Sequence, residues 1–515
     1  MSPSLSLWGY ASCALILSAV AWIAYRYSRG QTDSRAGYFL AGRGLPGAFI
    51  AGSLLLTNLS AEQLVGLSGS AYAFNLSAMA WEVTAGVAII VMAMVFLPRF
   101  LALGFTTLPE FFERRFDARV RRLSAVLFVV GYTLITIPSV LYAGSLAVLA
   151  ITGLALPLPA VMIFIALLGA GFAVGGGLRA IAISDTLFGV GLLVMAVALP
   201  LLALSALGDG SVSAGLSTLT SVHTEKLNAI GGSSDPVPFG TLFTGMILAN
   251  LFYWGTNQYV IQRTLGARNL AAGQQGVLAA GFFKLLVPYG VMIPGVIAYH
   301  MFGEDLGNMD AAYPTLVSTV LPPAMTGVFL AVLLGVVVSS FNSLLNSAAT
   351  ILTLDLGSTT ADPVRRARLW SVAITVFAII VAPNLEHAPD GLWQLIRRFT
   401  GFYNIPTIAL VIAALFLPRV TARGAIAAVT FHIAAYGLIA LVLDTGWHFV
   451  HVYGGLFVVE IGIMLALGGK PGAMPAPGRQ HIDLTPWRWR WVVCALLITG
   501  MLGTYWVFSP LGVAS

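Results

Sequence analysis

The stretch LLLTNLSAEQLVG, residues 54–66, decides the fold because it interrupts a long apolar helix with polar residues. The apolar run around it extends from about residue 46 to 71, and about 20 apolar residues suffice to cross a bilayer core of roughly 30 Å. Polar groups are costly in lipid, so a polar cluster at the centre of such a run indicates a functional site or a broken helix. The cluster consists of Thr57, Asn58, Ser60, Glu62 and Gln63.

The composition of the whole chain agrees with a membrane location. Of its 515 residues, 58% are hydrophobic and only 9% are charged, against about 25% charged in an ordinary soluble domain. This excludes a soluble enzyme, a disordered protein and a secreted disulfide scaffold. Cys13 and Cys494 lie in apolar stretches and offer no disulfide or zinc framework. The basic residues that produce the net charge of +6 form no common face, so we expect no nucleic-acid partner.

Apolar runs recur from end to end and predict an all-α, polytopic membrane protein that forms one transporter domain over 1–515. About fourteen transmembrane helices are expected. Their predicted spans are 5–25, 46–71, 77–98, 123–151, 157–174, 180–205, 237–259, 273–301, 323–353, 369–385, 391–417, 424–443, 446–468 and 491–508.

The positions of lysine and arginine predict the orientation. With the N-terminus outside, most of the 26 basic residues fall in inner loops, Arg263 and Arg268 among them, and the outer loops are rich in Asp and Glu. An even number of helices then places the C-terminus outside as well. We therefore expect a multi-pass protein of the cell membrane with both termini outside. The segment 106–118 reads as a short amphipathic piece on the inner surface.

A second helix is interrupted in the same way as the first. The span 237–259 carries Asn250, Tyr253 and the polar run Thr256-Asn257-Gln258. Each interrupted helix would open a run of five spans, and two such helices at matching places in two halves indicate an inverted-repeat transporter. Broken helices free carbonyl groups and helix ends for ions and substrate. The alternative is ordinary hydrogen bonding between membrane helices.

The span 323–353 carries a polar stripe on one face, because its polar residues recur at steps of three and four. Hydroxyl and amide oxygens suit a hard cation such as sodium. The alternative is a stripe of small residues that packs against another helix. The stripe consists of Ser339, Asn342, Ser343, Asn346 and Thr350, with Ser340 beside it.

These residues carry a resemblance to the sodium:solute symporter family, and most closely to its bacterial sodium/galactose transporter branch. The resemblance runs from the first helix to about residue 420 and more loosely beyond. Its matching stretches are SAEQLVGLSGSAY (60–72), AWE (80–82), NLFYWGTNQYVIQRTL (250–265), FKLLVP (283–288) and VSSFNSLLNSAAT (338–350).

The resemblance implies a five-plus-five inverted-repeat core of the LeuT type. Its first repeat would span about 46–205 and its second about 237–418, with flanking helices at 5–25 and 424–508. It further implies a sodium ion, the coupling ion, between the first and eighth core helices. The ligands carried over are the carbonyls of Leu56, Leu59 and Val336 and the hydroxyls of Ser339 and Ser340. A possible second sodium would use Asp185, Asn342 and Ser343, where Asn342 replaces the usual hydroxyl.

For the substrate, the resemblance points to polar residues that match the many donors and acceptors of a sugar. Buried Glu82 and Lys284 have a simpler alternative, which is to pair with each other. The implied substrate residues are Asn58, Gln63, Glu82, Asn250, Tyr253 and Lys284, and the implied gates are Leu67, Trp81, Tyr253 and Trp393.

Four positions depart from the galactose-transporter pattern. Trp81 stands in place of a tyrosine, Ala85 in place of a serine, and Trp393 in place of a phenylalanine at the outer gate. Arg397 aligns with a glutamine that contacts sugar, and we include it among the substrate residues. An arginine there favours an anionic group such as a carboxylate.

The leading hypothesis is therefore a sodium-coupled symporter in the bilayer, carrying a small sugar or sugar-like solute. The same machine carrying an acidic solute, a uronate or a sialic acid, is the alternative. A sensor or channel on this scaffold is a third possibility, although no signalling domain follows residue 509. No histidine lies in a nucleophile or zinc spacing, which argues against an enzyme. His432, in mid-helix, reads as a hydrogen-bonded packing residue.

Overall fold

The computed structural model describes residues 6–30, 34–357, 362–387, 392–443, 445–472 and 482–514. For residues 62, 386–387, 392–395 and 397–398 it describes the backbone alone. Across these ranges the chain is helical and has no β-strand. An isolated parallel β-bridge joins Leu45 to Ala267. The expected all-α class is confirmed.

The principal helices are named here in chain order. They are α1 (Leu7–Ser28), α2 (Gly47–Asn58), α3 (Ala61–Ala73), α4 (Leu76–Leu103), α5 (Leu108–Arg115), α6 (Ala118–Thr152), α7 (Leu158–Leu207), α8 (Met246–Gly255), α9 (Gln258–Leu265), α10 (Leu270–Phe302), α11 (Pro323–Leu354), α12 (Pro363–Leu385), α13 (Leu392–Phe416), α14 (Ala422–Leu441), α15 (Phe449–Ala466) and α16 (Arg490–Val507). Shorter helices occupy the connections Arg35–Leu40, Val212–Ser221 and Ala312–Val320.

Within the described ranges, eleven helices are long and apolar enough to cross a membrane, and the bent pair α2–α3 makes a twelfth. The expected number of fourteen is not confirmed by this criterion. It differs because α7 was expected as two spans and because α8 and α9, which together take the place of one span, are individually short. At 1.5 Å per residue, the 50 residues of α7 reach roughly 75 Å, more than twice the thickness of the hydrocarbon core.

The middle of α7 turns at Gly177, the last of three successive glycines. Gly177 has φ +54° and ψ −158°, outside the helical region. A Cβ atom at this position would lie 2.7 Å from the carbonyl oxygen of Tyr38. Glycine is therefore required both by the backbone angle and by the close approach of the chain before α2.

Helix α11 lies at the centre of the molecule. In its most apolar stretch 94% of the residues are buried, against 22% for α1 and for α16. It packs against α1, α6, α7 and α12, and α7 in turn packs against α2. The polar stripe of α11 therefore faces other helices and not lipid.

The segment 106–118, which was expected as a short amphipathic piece, folds as α5. The Thr107 hydroxyl caps it by accepting from the Glu110 amide at 3.3 Å, and also donates to Asp355 at 2.9 Å. Asp355 follows the last residue of α11 and pairs with Arg121 at 2.9 Å. Burial raises the pKa of the Asp355 carboxyl to about 7, against the opposing effect of Arg121. This network joins the N-terminal ends of α5 and α6 to the C-terminal end of α11.

Candidate functional site

Most of the predicted substrate residues line one cavity between the helices. Of the positions expected to contact solute, sodium or a gate, eight reach this cavity. They are Asn58, Gln63, Trp81, Glu82, Asn250, Tyr253, Lys284 and Ser340. Residues far apart in sequence thus converge as expected, since α2, α3, α4, α8, α10 and α11 all contribute.

The first interruption is a bend of 55° between α2 and α3. Its backbone hydrogen bonds leave the helical register, because the Ser60 amide donates to Asn58 and the Gln63 amide donates to Ser60, both at 3.1 Å. In a continuous helix those two amides would serve the carbonyls of Leu56 and Leu59. The break thereby releases the two carbonyl oxygens that the resemblance implies as sodium ligands.

The second interruption separates α8 from α9 at Thr256 and Asn257. The amides of both residues donate to the carbonyl of Phe252, at 2.9 and 2.8 Å, so the helical ladder ends there. The Gln258 side chain then accepts the Leu108 amide at 2.8 Å, which ties the break to α5. In its middle, α8 is tied to α4 because the Asn250 amide donates to the Thr84 hydroxyl at 2.9 Å.

Glu82 of α4 and Lys284 of α10 form a direct ion pair within the cavity. The two side chains are only 2% and 3% exposed, and the Lys284 ammonium also lies 5.8 Å from the centre of the Trp254 ring. The simpler alternative, that these residues pair with each other, is therefore what the structure contains. Both residues still line the cavity, so the pair presents an acceptor and a donor to whatever enters.

Two amide oxygens beside this pair have no hydrogen-bond partner among the residues that the structure describes. They are the Oδ1 atom of Asn58 and the Oε1 atom of Gln63, both buried. A buried acceptor without a donor is costly, which makes these atoms natural contacts for the hydroxyl groups of a bound solute.

The expected sodium position lies where α11 passes the bend between α2 and α3. The Ser340 hydroxyl is buried and finds no partner within the described ranges, the buried Ser339 hydroxyl faces the Asp185 carboxylate, and Val336 one turn earlier is fully buried. Together with the carbonyls released at the bend they form a set of neutral oxygen atoms. Such a set is chemically suited to sodium, a hard cation.

The residues expected to hold a second sodium are engaged with an arginine. The Arg263 guanidinium, 1% exposed, lies 3.4 Å from the Asp185 carboxylate and donates to the Ser343 hydroxyl. It also donates to Ser53 at 2.6 Å, and Ser53 in turn donates to Asp185 at 2.5 Å. The assignment of Arg263 to an inner loop was therefore wrong, because it belongs to α9 inside the bundle.

The implied gate residues have different surroundings. Trp81 stacks on Phe449 of α15, with ring centres 6.3 Å apart and planes 13° apart. Tyr253 packs edge-on against Trp254 and Tyr259. Leu67 is buried and is not among the residues that line the cavity.

The predictions for Trp393 and Arg397 fall outside the described side chains. Both residues belong to α13, whose described neighbours Ile396 and Thr400 line the cavity.

Several cavity residues were missed by the sequence reasoning. Tyr403 and Asn404 of α13 follow Thr400 along the cavity, and Tyr453 reaches it from α15, a flanking helix. A polar triplet such as Thr400, Tyr403 and Asn404 at steps of three and four is a detectable signal for a lining face. Tyr453 carries no such signal, since it lies beyond the part of the chain with the strongest resemblance.

Comparison with known proteins settles the family. The model of the sodium:solute symporter family matches residues 38–431. This chain belongs to the sodium:solute symporter family. The uncharacterized symporter YidK of Escherichia coli (strain K12) is 40% identical over 98% of this chain and 90% of its own length. The sodium/glucose cotransporter of Vibrio parahaemolyticus is 34% identical over 80% of each chain.

Solved structures agree with the fold that the resemblance implied. A Na⁺-coupled sialic acid symporter in an outward-open state superposes with a TM-score of 0.79 at 20% identity, over 91% of this chain and 99% of that one. Mhp1, a nucleobase-cation-symport-1 family transporter, superposes with a TM-score of 0.57 at 15% identity, over 84% and 95%. The symporter is thus a multi-pass membrane protein of the LeuT fold that couples a small-molecule solute to sodium.

Proposed function

We propose that this symporter carries a neutral sugar or sugar-like solute, bound between the Glu82–Lys284 pair and the amide groups of Asn58, Gln63 and Asn250. The observation that carries this proposal is the cavity itself, in which a paired carboxylate and ammonium stand beside two unpartnered amide oxygens. A sugar offers hydroxyls that donate and accept, so it satisfies all of these groups. Tyr253 offers an aromatic face to the C–H side of the ring.

We further propose that sodium binds at the bend between α2 and α3. Its ligands would be the carbonyls of Leu56, Leu59 and Val336 and the hydroxyls of Ser339 and Ser340. The support for this placement is the pair of released carbonyls together with the unpartnered hydroxyl of Ser340. Because Asn58 lies on the same bend, ion and solute would order the same segment of backbone.

For the second site, Asp185, Asn342 and Ser343, we propose that no second sodium is required. The Arg263 guanidinium already supplies the positive charge that Asp185 needs, and it engages the Ser343 hydroxyl. Uptake should then rise hyperbolically with sodium concentration, with a Hill coefficient of about one. Uptake that rises sigmoidally with sodium concentration would instead support a second sodium at these residues.

The overall architecture that we propose is two inverted repeats, about 46–205 and 237–418, each opening on one of the broken helices. Both termini would face the outside, because this orientation leaves most of the arginines in inner loops.

The acidic alternative rests on Arg397, which lies in α13 between two residues that line the cavity. A guanidinium pairs strongly with a carboxylate, so a uronate or a sialic acid would be preferred if Arg397 contacts the solute.

Counterflow in proteoliposomes separates the two solutes. The purified protein is loaded with unlabelled hexose or with the matching uronate, and exchange of the labelled compound is followed in sodium and in potassium. The proposal predicts sodium-dependent exchange of the neutral hexose, and competition by the uronate that is weak and equal in wild type, Arg397→Gln and the neighbouring control Arg398→Gln. Preferred exchange of the uronate, lost only in Arg397→Gln, would overturn the neutral-sugar proposal in favour of the acidic one.

A further inference from the structure

A buried polar pair joins the two flanking helices α14 and α15. His432 and Glu460 have no exposed surface, and the Nδ1 atom of His432 lies 2.5 Å from the Oε1 atom of Glu460. Both residues lie on buried stripes, with Val429 and Tyr436 on α14 and with Leu456 and Met464 on α15. The pair is outside the cavity and outside the sodium position. An apolar pair would pack these helices at less cost, so the polar pair needs another explanation.

The second ring nitrogen of His432 supplies that explanation. Its Nε2 atom lies 3.0 Å from the carbonyl oxygen of Gly401, in the middle of α13. Both nitrogens of the ring thus face acceptors, so Nε2 must carry a proton. The proton on the other side lies either on Nδ1 or on Glu460, and in both cases Glu460 fixes the orientation of the imidazole.

The backbone hydrogen bonding of α13 is weakened next to Gly401. The Ile405 amide, whose helical acceptor would be the Gly401 carbonyl, donates to the side chain of its neighbour Asn404 at 2.6 Å. The next residue is Pro406, which has no N–H for the carbonyl of Phe402. The bond from His432 therefore gives the Gly401 carbonyl a donor on a turn where helical donors are diverted or absent.

The same short segment of α13 borders the cavity. Thr400, Tyr403 and Asn404 line it, directly before and after Gly401. Gly401 also admits α14 closely, since a Cβ atom there would lie 2.3 Å from the ring of Tyr436. Tyr436 stacks on His432 and packs 5.8 Å from Tyr453, which itself lines the cavity. Helices α14 and α15 thus contact α13 at the turn that lines the cavity.

We propose that His432, oriented by Glu460, is a positioning residue that holds the turn of α13 at Gly401 and thereby sets the position of Thr400, Tyr403 and Asn404 in the cavity. For its effect on transport this proposal rests on the proposed function. For the geometry of α13 it does not, because the hydrogen bond to Gly401 is present whatever the solute is.

The test removes the hydrogen bond without leaving a buried charge. The double variant His432→Leu/Glu460→Leu replaces the pair with apolar side chains, and Glu460→Gln retains a donor toward Nδ1 while Nε2 still donates to Gly401. The control is Thr375→Val, whose buried hydroxyl bonds the Ser371 carbonyl of its own helix. Each variant is made in a background with Cys13→Ser, Cys494→Ser and the reporter Thr400→Cys.

Two readouts are compared. The first is the rate at which a small hydrophilic maleimide labels the reporter without added solute, and the second is sodium-driven exchange of labelled hexose in the same background without the reporter. We expect the double variant to change the labelling rate at least fivefold and to raise the half-saturating hexose concentration about tenfold, with Glu460→Gln and Thr375→Val within twofold of the parent.

An unchanged labelling rate in a folded double variant would overturn the proposal. A Glu460→Gln variant that behaves like the double variant would also overturn it. The charge of Glu460, and not the orientation of the His432 ring, would then be what the protein requires. If no variant, nor the parent, exchanges hexose but the labelling rate changes as expected, the proposed solute is wrong and the positioning role of His432 stands.

Discussion

Two of the buried ion pairs among the described residues, Glu82–Lys284 and Asp185–Arg263, differ in what surrounds them. Glu82 and Lys284 pair across a cavity that also exposes unpartnered amide oxygens. Asp185 and Arg263 pair away from that cavity, and the guanidinium also contacts Ser53, Ser343 and the Tyr259 carbonyl. In the proposed solute site the first pair would bond to the solute, whereas the guanidinium of the second pair is already bonded to several groups of the protein.

The difference shows how a costly buried charge is used. Arg263 links four helices, because its contacts come from α2, α7, α9 and α11. Removing one partner of such a pair leaves an uncompensated charge inside the protein. Glu82 and Lys284 join α4 to α10, the ammonium also lies over the Trp254 ring of α8, and both residues line the cavity. We therefore expect substitutions in the Glu82–Lys284 pair to lower the affinity for solute, and substitutions in the Asp185–Arg263 pair to lower the free energy of unfolding.

The largest effect is expected from Arg263→Met. It leaves Asp185 buried without a counter-charge, which typically costs about 3–5 kcal/mol of folding free energy. The thermal midpoint of the detergent-purified protein should fall sharply, and the yield of folded protein with it. The double variant Asp185→Asn/Arg263→Met should recover much of the loss. A single variant as stable as the wild type would show that the pair does not hold these helices together.

The next largest effect is expected from Glu82→Gln. Truncating one partner of a buried charged contact typically costs about 2–5 kcal/mol of binding, or roughly 30-fold to several thousand-fold in affinity. The thermal midpoint without solute should fall far less than in Arg263→Met, because water can reach Lys284 in the cavity. Equilibrium binding of labelled hexose in saturating sodium measures the effect. Wild-type affinity would remove Glu82 from the solute site and make the two pairs alike.

A smaller effect is expected from Ser340→Ala, beside the cavity pair. One lost neutral oxygen ligand is comparable to one hydrogen bond, about 1 kcal/mol, so the half-maximal sodium concentration should rise about fivefold. Ser347→Ala on the same helix is the control, because its hydroxyl donates to Gln262 at 2.6 Å. Sodium titration of hexose uptake measures both. Equal sodium dependence in Ser340→Ala and wild type would exclude this position for the ion.

The smallest effect concerns another buried carboxyl, that of Asp355 at the end of α11. Burial raises its pKa to about 7, well above the value near 3.9 in an unfolded chain, so the folded state binds the proton more tightly. Its contribution to stability is complete below pH 4 and declines as the pH rises toward 7. The thermal midpoint of the wild type should fall by a few degrees between pH 5 and 7.5, relative to Asp355→Asn. Parallel pH profiles would contradict this.

The sequence predicts most of the architecture because membrane helices leave a strong signal. The interrupted helices and the polar stripe of α11 follow from where polar residues stand in apolar runs, whereas the convergence of Asn58, Glu82 and Lys284 was implied by the family resemblance. Arg263 was misplaced because loop and helix look alike next to a break, and charge counting favours the loop. Tyr453 was missed because a flanking helix gives no hint that it approaches the core, and only the packing of α14 and α15 reveals the contact.

The bend between α2 and α3 has a thermodynamic consequence if sodium and solute bind there as proposed. The carbonyls of Leu56 and Leu59 and the amide of Asn58 belong to one short segment, so either ligand lowers the conformational entropy that the other must remove. Linkage makes this effect reciprocal, and each ligand raises the affinity for the other by the same factor. A carrier without solute would then keep a more flexible segment and bind sodium more weakly. This weaker binding would limit the transport of sodium without solute.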